Sequence, residues 1–319
     1  MKAAVVHSYS APPQYADFDD PTPGEGEVLV AVTAAGLHPI VKALAAGTHY
    51  GSTGNFPFVP GVDGVGKLPD GQRVFFGAAR SPFGTMAERT VAGQNRCLPV
   101  PDAVDDITAA AMMNPGMSSW AALAERAHFV SGESVLILGA TGSAGQFAVQ
   151  IAKRFGARRI VAAGRDPEAL EQTKALGADD TISLNQDQDA LVAAFREEIA
   201  GNKIDVILDY LWGAPAEAAL AAIAKKGLDH ASARIRYIQI GNSAGPNISL
   251  PAAILRSSGL ELLGSGFGSV NIERLFVSME AILQEAAKKP FEIAVTAAPL
   301  RDVESLWQSK TNSRLVFQP

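Results

Sequence analysis

Residues 134–151 read SVLILGATGSAGQFAVQI. The first five form an apolar run of the length and composition of a buried strand. Gly139, Gly142 and Gly145 then fall three residues apart, and an amphipathic helical pattern follows at once. A strand ending in such a turn brings the chain to the carboxyl edge of a sheet. Gly139 is expected to make the turn, Gly142 to let a pyrophosphate approach the backbone, and Gly145 to let helix and strand pack closely. The start of the helix offers unbonded N–H groups and a partial positive charge. Gly139, Ala140, Thr141, Gly142, Ser143 and Ala144 are therefore the expected dinucleotide cradle. A glycine-rich loop without a ligand is the plain alternative, and the strand–turn–helix context speaks against it.

Downstream of this turn the pattern repeats. IVAAG precedes PEALEQTKALG, DTISL precedes DALVAAFREEIAG, IDVILDYL precedes PAEAALAAIAKK, and RIRYIQIG follows. Short apolar runs alternating with helical stretches predict a parallel sheet covered on both faces, with right-handed crossovers, which is a doubly wound domain. Upstream, residues 1–110 read as β-rich. FPFVPGVDGVG, residues 56–66, has too much Pro and Gly for a helix. The stretch DDITAAAMMNPGMSSWAALAERA reads as two short helices parted at Asn114-Pro115-Gly116. After a last helix, NIERLFVSMEAILQEAAKK, the segments FEIAVTAAPL and SRLVFQP read as strands returning to the β-rich body. The expected organisation is a β-rich domain of residues 1–115 and 265–319, interrupted by a dinucleotide-binding domain of residues 116–264.

The second strand decides which dinucleotide fits. An NAD site usually carries an acid there, accepting from the ribose hydroxyl. Counting from Gly145 leads instead to Gly164 and Arg165. A guanidinium pairs with a 2′-phosphate that a carboxylate would repel, which favours NADP. The competing readings are that Arg165 is a solvated loop charge, or that Asp166 takes the acid's place.

Composition narrows the remaining classes. The chain has 319 residues, of which 47% are hydrophobic and 19% charged, enough for sizeable cores. Its net charge of −6 argues against nucleic acid or anionic lipid as partner. Cys97 is the only cysteine, so no disulfide can form within the chain and no thiolate-rich zinc site can be built. Neither a signal peptide nor an apolar run long enough to span a membrane is visible, so a cytoplasmic protein is expected. None of the five tyrosines has a lysine four residues on, as a short-chain dehydrogenase would require.

GEVLVAVTAAGLHP, FPFVPGVDGVG, VLILGATGSAGQFAVQIAKRFGA and KALGADDTI together resemble the medium-chain dehydrogenase/reductase superfamily, and within it the zinc-free quinone oxidoreductases, the zeta-crystallin-like branch. The resemblance covers almost the whole chain. It implies an α/β fold in which a Rossmann sheet is inserted in a GroES-like, partly open barrel. It implies an NADPH-dependent reductase of quinones or α,β-unsaturated carbonyls, and a homodimer paired through an edge strand at residues 260–266. Where zinc members of the superfamily place catalytic ligands, this chain has His38, Val62 and Pro115, and the lobe with four cysteines is missing, so no metal is expected. Without a metal to polarise an alcohol, already electrophilic substrates fit better.

The same resemblance puts Tyr50 in the substrate pocket as a phenol donor and His38 near the nicotinamide, where Asn is common. It puts Ser118, Ile240, Gly241, Asn242, Phe267, Gly268 and Asn312 against the cofactor. Substrate is expected in the cleft between the domains. Each of these residues has a plain reading too: a packing Tyr, a structural His, a helix-capping Ser, a surface Asn. Leu184 and Asn185 stand where the family often has a Tyr over the adenosine. The alternative functions are an alkenal or enoyl reductase, and an NADP-binding sensor without turnover.

Overall fold

The computed structural model describes residues 1–224, 233–309 and 313–319. In chain order the elements are β1 (Lys2–Val5), β2 (Gln14–Asp17), β3 (Glu27–Gly36), α1 (Pro39–Ala45), β4 (Asp63–Lys67), β5 (Arg73–Gly77), β6 (Arg89–Gly93), β7 (Cys97–Pro99) and α2 (Asp106–Ala121). Then come β8 (Ser134–Leu138), α3 (Ser143–Arg154), β9 (Arg159–Gly164), α4 (Pro167–Leu176), β10 (Asp180–Ser183), α5 (Gln188–Arg196), β11 (Val206–Asp209), α6 (Gly213–Ile223) and β12 (Arg234–Gln239). The chain closes with α7 (Ala252–Arg256), β13 (Gly259–Gly264), α8 (Ile272–Lys288), β14 (Val295–Pro299), α9 (Val303–Leu306) and β15 (Arg314–Gln318). It forms two compact units, an outer one of Met1–Asn114 with Glu280–Pro319 and an inner one of Pro115–Met279. The second division falls inside α8.

In the inner unit six strands run parallel in the order β10-β9-β8-β11-β12-β13. Numbered within the unit this is 3-2-1-4-5-6, the doubly wound order whose switch point lies between the first and fourth strands, here β8 and β11. β8 is buried along its whole length, because helices cover both faces. Leu136, Val161, Ile207, Phe195 and Tyr237 fill the core on one side.

In the outer unit the long strand β3 pairs with β4, β6 and β15, and the sheet runs β14-β15-β3-β4-β5-β7. Val316 and Phe317 of β15 lie opposite Gly36 and Ala35, so the two ends of the chain share one sheet. Val30, Phe76, Met86 and Phe317 are fully buried in its core.

The break expected at Asn114-Pro115-Gly116 does not occur. α2 runs through it with Pro115 inside. Residues 109–113 are completely buried, so packing of that apolar turn outweighs the local cost of proline. A wider helical turn, Ala122–Ala127, extends α2 and ends at His128 in the left-handed region, φ 48°.

Candidate nucleotide site

The glycine turn sits at the carboxyl end of β8. Gly139 has φ 86°, a backbone shape that residues with a Cβ rarely adopt. The N–H groups of Gly139 and Ala140 both donate to the Ala163 carbonyl of β9, at 2.9 and 3.0 Å, which anchors the turn to the sheet. A Cβ on Gly145 would overlap the Gly139 carbonyl and come within 2.5 Å of the Ala140 Cα. Helix and strand therefore touch backbone to backbone there.

Gly142 is different: a Cβ there meets nothing nearer than the Gly139 carbonyl, at 3.7 Å. Gly142 is the N-cap of α3, and no side chain caps that helix. Its first-turn amides lack the carboxylate that α4 and α5 receive. Asp166 accepts from the N–H groups of Glu168 and Ala169 at 3.0 and 3.1 Å, and Asp187 from that of Ala190 at 2.9 Å. Two of the three helices are closed by an acid, and the one following the glycine turn is open to an anion from outside.

Thr141 lies over the end of β9, where a Cβ on Gly164 would fall 2.5 Å from its Cγ2. Gly164 therefore lets the turn settle on the neighbouring strand. Arg165 follows on the surface, in an open groove of about 640 Å³ lined by Arg165, Asp166, Pro167, Glu168 and Asn185. The Arg165 guanidinium makes no ion pair among the described residues. Asp166 spends Oδ1 on its helix cap, which counts against the reading that it replaces the missing ribose acid.

The remaining inner-unit candidates follow the ends of other strands of the same parallel sheet. Ile240, Gly241 and Asn242 come directly after β12. The N–H groups of Ile240 and Gly241 donate to the Asp209 carbonyl at 2.8 and 3.1 Å. A Cβ on Gly241 would stand 2.7 Å from the Tyr210 carbonyl. Asp209 ends β11 with its carboxylate buried, accepting from the Leu211 and Trp212 N–H groups and from the Tyr237 hydroxyl at 2.8–3.0 Å. Burial pushes its pKa up, against these hydrogen bonds. Phe267 and Gly268, φ 96°, follow β13, with the Phe267 ring 40% exposed. Asn312 lies outside the described residues.

Ser118 does not start a helix; it lies within α2 and donates to the Pro115 carbonyl at 2.9 Å. Its neighbour Ser119 reaches further. The Ser119 hydroxyl lies 3.2 Å from the Ala144 carbonyl in α3 and 2.8 Å from the Tyr210 hydroxyl. Burial pushes the Tyr210 phenol up to about 12, so it stays protonated. Reading the sequence missed Ser119 and Tyr210. The signal available was position: Tyr210 directly follows the strand beside the glycine strand, at the switch point.

In the outer unit His38 precedes α1 and is fully buried. Its Nε2 is 3.1 Å from Asp63 Oδ1, yet neither ring nitrogen makes a well-aligned hydrogen bond. The imidazole is folded against Gly36, whose missing side chain makes the room. Arg314 of β15 donates to the Leu37 carbonyl at 3.0 Å; burial lowers its pKa, and the nearby Asp63 charge opposes that. Tyr50 is 75% exposed, with its ring 4.1 Å from that of His49. His49 Nδ1 accepts from the Gly51 N–H, and burial lowers its pKa. Among the described residues no three His, Cys, Asp or Glu side chains form a group that could hold a metal ion, and no helix is long and apolar enough to cross a membrane.

Residues 144–284 match the family described as zinc-binding dehydrogenase. A probable NADPH-dependent quinone reductase of Emericella nidulans is 26% identical over the full length of both chains. A quinone oxidoreductase of Pseudomonas aeruginosa is 28% identical over 77% of this chain and 74% of its own. Among solved structures, the quinone oxidoreductase of Thermus thermophilus, studied also in complex with NADPH, covers 100% of both chains with a TM-score of 0.80 and 26% identity. With the 3-2-1-4-5-6 sheet and the glycine turn at its centre, the chain is similar in sequence and fold to these quinone oxidoreductases.

Proposed function

We propose that this protein is an NADPH-dependent, zinc-free oxidoreductase that delivers hydride to a quinone or an α,β-unsaturated carbonyl. The observation that carries the reading is the open N-terminus of α3, with space at Gly142 and an unpaired Arg165 guanidinium at the end of the next strand. These residues fit a dinucleotide. The amides of residues 142–145 would hold the diphosphate, and Arg165 the 2′-phosphate. NADPH supplies the hydride when bound.

The chain's own part is to bind and orient. Tyr210 and Ser119 brace Ala144 and so the first turn of α3. Ile240, Gly241, Asn242, Phe267 and Gly268 line the remaining carboxyl edge. Tyr50 is proposed to donate its phenol hydrogen bond to the substrate oxygen, where negative charge develops during reduction. His38 is a weaker candidate for such contact, because it is buried against Asp63. Val62 and Pro115, at two of the three positions matching the zinc ligands of relatives, have no ligating atom, which supports chemistry without zinc. We further propose that residues 116–264 form the nucleotide domain and the rest the substrate domain.

The test is direct. Purified protein is mixed with NADPH and either 1,4-benzoquinones or small enones, and the nicotinamide absorbance is followed. Turnover with either class supports the reading, and tight NADPH binding without turnover across a broad panel would make the protein a sensor instead. The enone branch has its own support: a trans-enoyl reductase of Aspergillus terreus is 29% identical over 60% of this chain and 59% of its own.

We also propose a homodimer paired through β13, one of the two edge strands of the inner sheet. Leu255, Leu262, Phe267 and Val277, all on or near this edge in sequence, are among the few large apolar side chains left exposed. Sedimentation equilibrium showing only monomer would overturn this.

A further inference from the structure

The groove that holds Arg165 is built by two strands. The Leu184 N–H donates to the Gly164 carbonyl at 2.8 Å, and the Asn185 side chain donates through Nδ2 to the next carbonyl, that of Arg165, at 2.7 Å. Only the amide nitrogen of Asn185 can pair with a carbonyl, so the orientation of its side chain is fixed by chemistry. Asn185 is itself held, its own N–H reaching Ser183 Oγ at 3.3 Å. On the other side of Arg165, Asp166 caps α4. The backbone of Arg165 is thus pinned on both sides while its guanidinium stays exposed and unpaired, although Asp166 and Glu168 line the same groove. A backbone held in place lowers the ordering cost of binding an anion beside it.

We propose that Asn185 is a positioning residue that sets the preference for NADPH over NADH by holding the Arg165 carbonyl. This rests on the nucleotide reading given above. The hydrogen bond is between neutral groups, so its loss is expected to weaken NADPH binding about fivefold to tenfold.

The experiment is calorimetric titration of the full chain with NADPH and with NADH, for the wild type, N185A, N185S, R165A and the R165A/N185A double variant. Melting curves confirm that each is folded, and N185S takes the place of N185A if that variant does not fold. The expected result is a fivefold to tenfold weaker NADPH affinity in N185A and N185S, and NADH affinity within twofold of wild type. N185A adds no further loss once Arg165 is removed. Equal losses for both nucleotides, no loss for NADPH, or an undiminished N185A effect in the R165A background would overturn the proposal. Wild-type protein that binds neither nucleotide would overturn the functional reading, and this inference with it. Tight wild-type NADPH binding with a neutral N185A would overturn the inference alone.

Discussion

Three helices of the inner unit begin just beyond the carboxyl ends of neighbouring strands, and they are finished differently. α4 and α5 each start at an aspartate that accepts from their first amides, and α3 starts at Gly142 with nothing. An N-cap aspartate stabilises a helix by about 1 kcal/mol over alanine but only by about a few tenths over glycine, so the open start of α3 costs the fold little. The contrast teaches where to look for a ligand. α6 also starts without a side-chain cap, but only α3 combines an open start with glycine at the cap, and there an anion from outside would find free amides.

The contrast can be broken most severely at Gly145. Gly145→Val would push a branched side chain into the Gly139 carbonyl and Ala140. It should cost roughly 3 kcal/mol or more of stability from overpacking and abolish NADPH binding, as thermal melts and titration would record. Gly142→Asp is the more informative change. Its backbone, φ −79° and ψ 161°, suits an aspartate N-cap, so α3 would become a helix like α4. The melting temperature should hold or rise slightly, while a carboxylate in the diphosphate cradle should weaken NADPH binding about a hundredfold or more. A variant that binds NADPH as the wild type does would refute the assignment of α3.

Arg165→Ala should weaken NADPH binding about tenfold or more, as expected for loss of a charge-assisted pair, and leave NADH nearly unchanged. Equal losses would remove Arg165 from the 2′-phosphate role. Asp166→Ala should do the reverse. It should cost about 1 kcal/mol of stability through the lost cap, a drop of about 2–4 °C in melting temperature, without weakening NADPH binding.

The smallest effect concerns pH. Asp209 caps the approach to α6 from inside the core, and burial raises its pKa. The folded chain therefore holds this proton more tightly than the unfolded chain does. The stability contributed is fully present below the ordinary carboxylate value of about 4 and is lost as pH rises through the raised folded value. Asp209→Asn should flatten that part of a curve of unfolding free energy against pH, and an unchanged slope would show that Asp209 does not contribute to it.

The glycine turn was legible because its constraints are local. A positive φ at Gly139 and a strand–helix contact at Gly145 demand glycine wherever that turn occurs, and the repeating strands and helices around it announce the sheet. Pro115 misled because its local penalty is outweighed by burial of the preceding turn of α2, which no window of sequence displays. Tyr210, Ser119 and Asn185 were hard to see for a third reason. Each acts on a residue that is distant in sequence, Tyr210 on Ser119, Ser119 on Ala144 and Asn185 on Arg165, and only the fold brings them together. His38 was legible by type and position, but not the burial of its ring against Gly36 and Asp63, which residues distant in sequence create.

The pairing of β15 with β3 has a consequence for how the chain is made. The inner unit is continuous in sequence, so every strand it needs has emerged before β14 begins. The outer sheet cannot close until β15 slots between β14 and β3, joining partners almost a whole chain apart. During synthesis the inner unit can therefore mature first, while the end of β3 at Ala35 and Gly36, which β4 and β6 do not pair, waits for its partner strand.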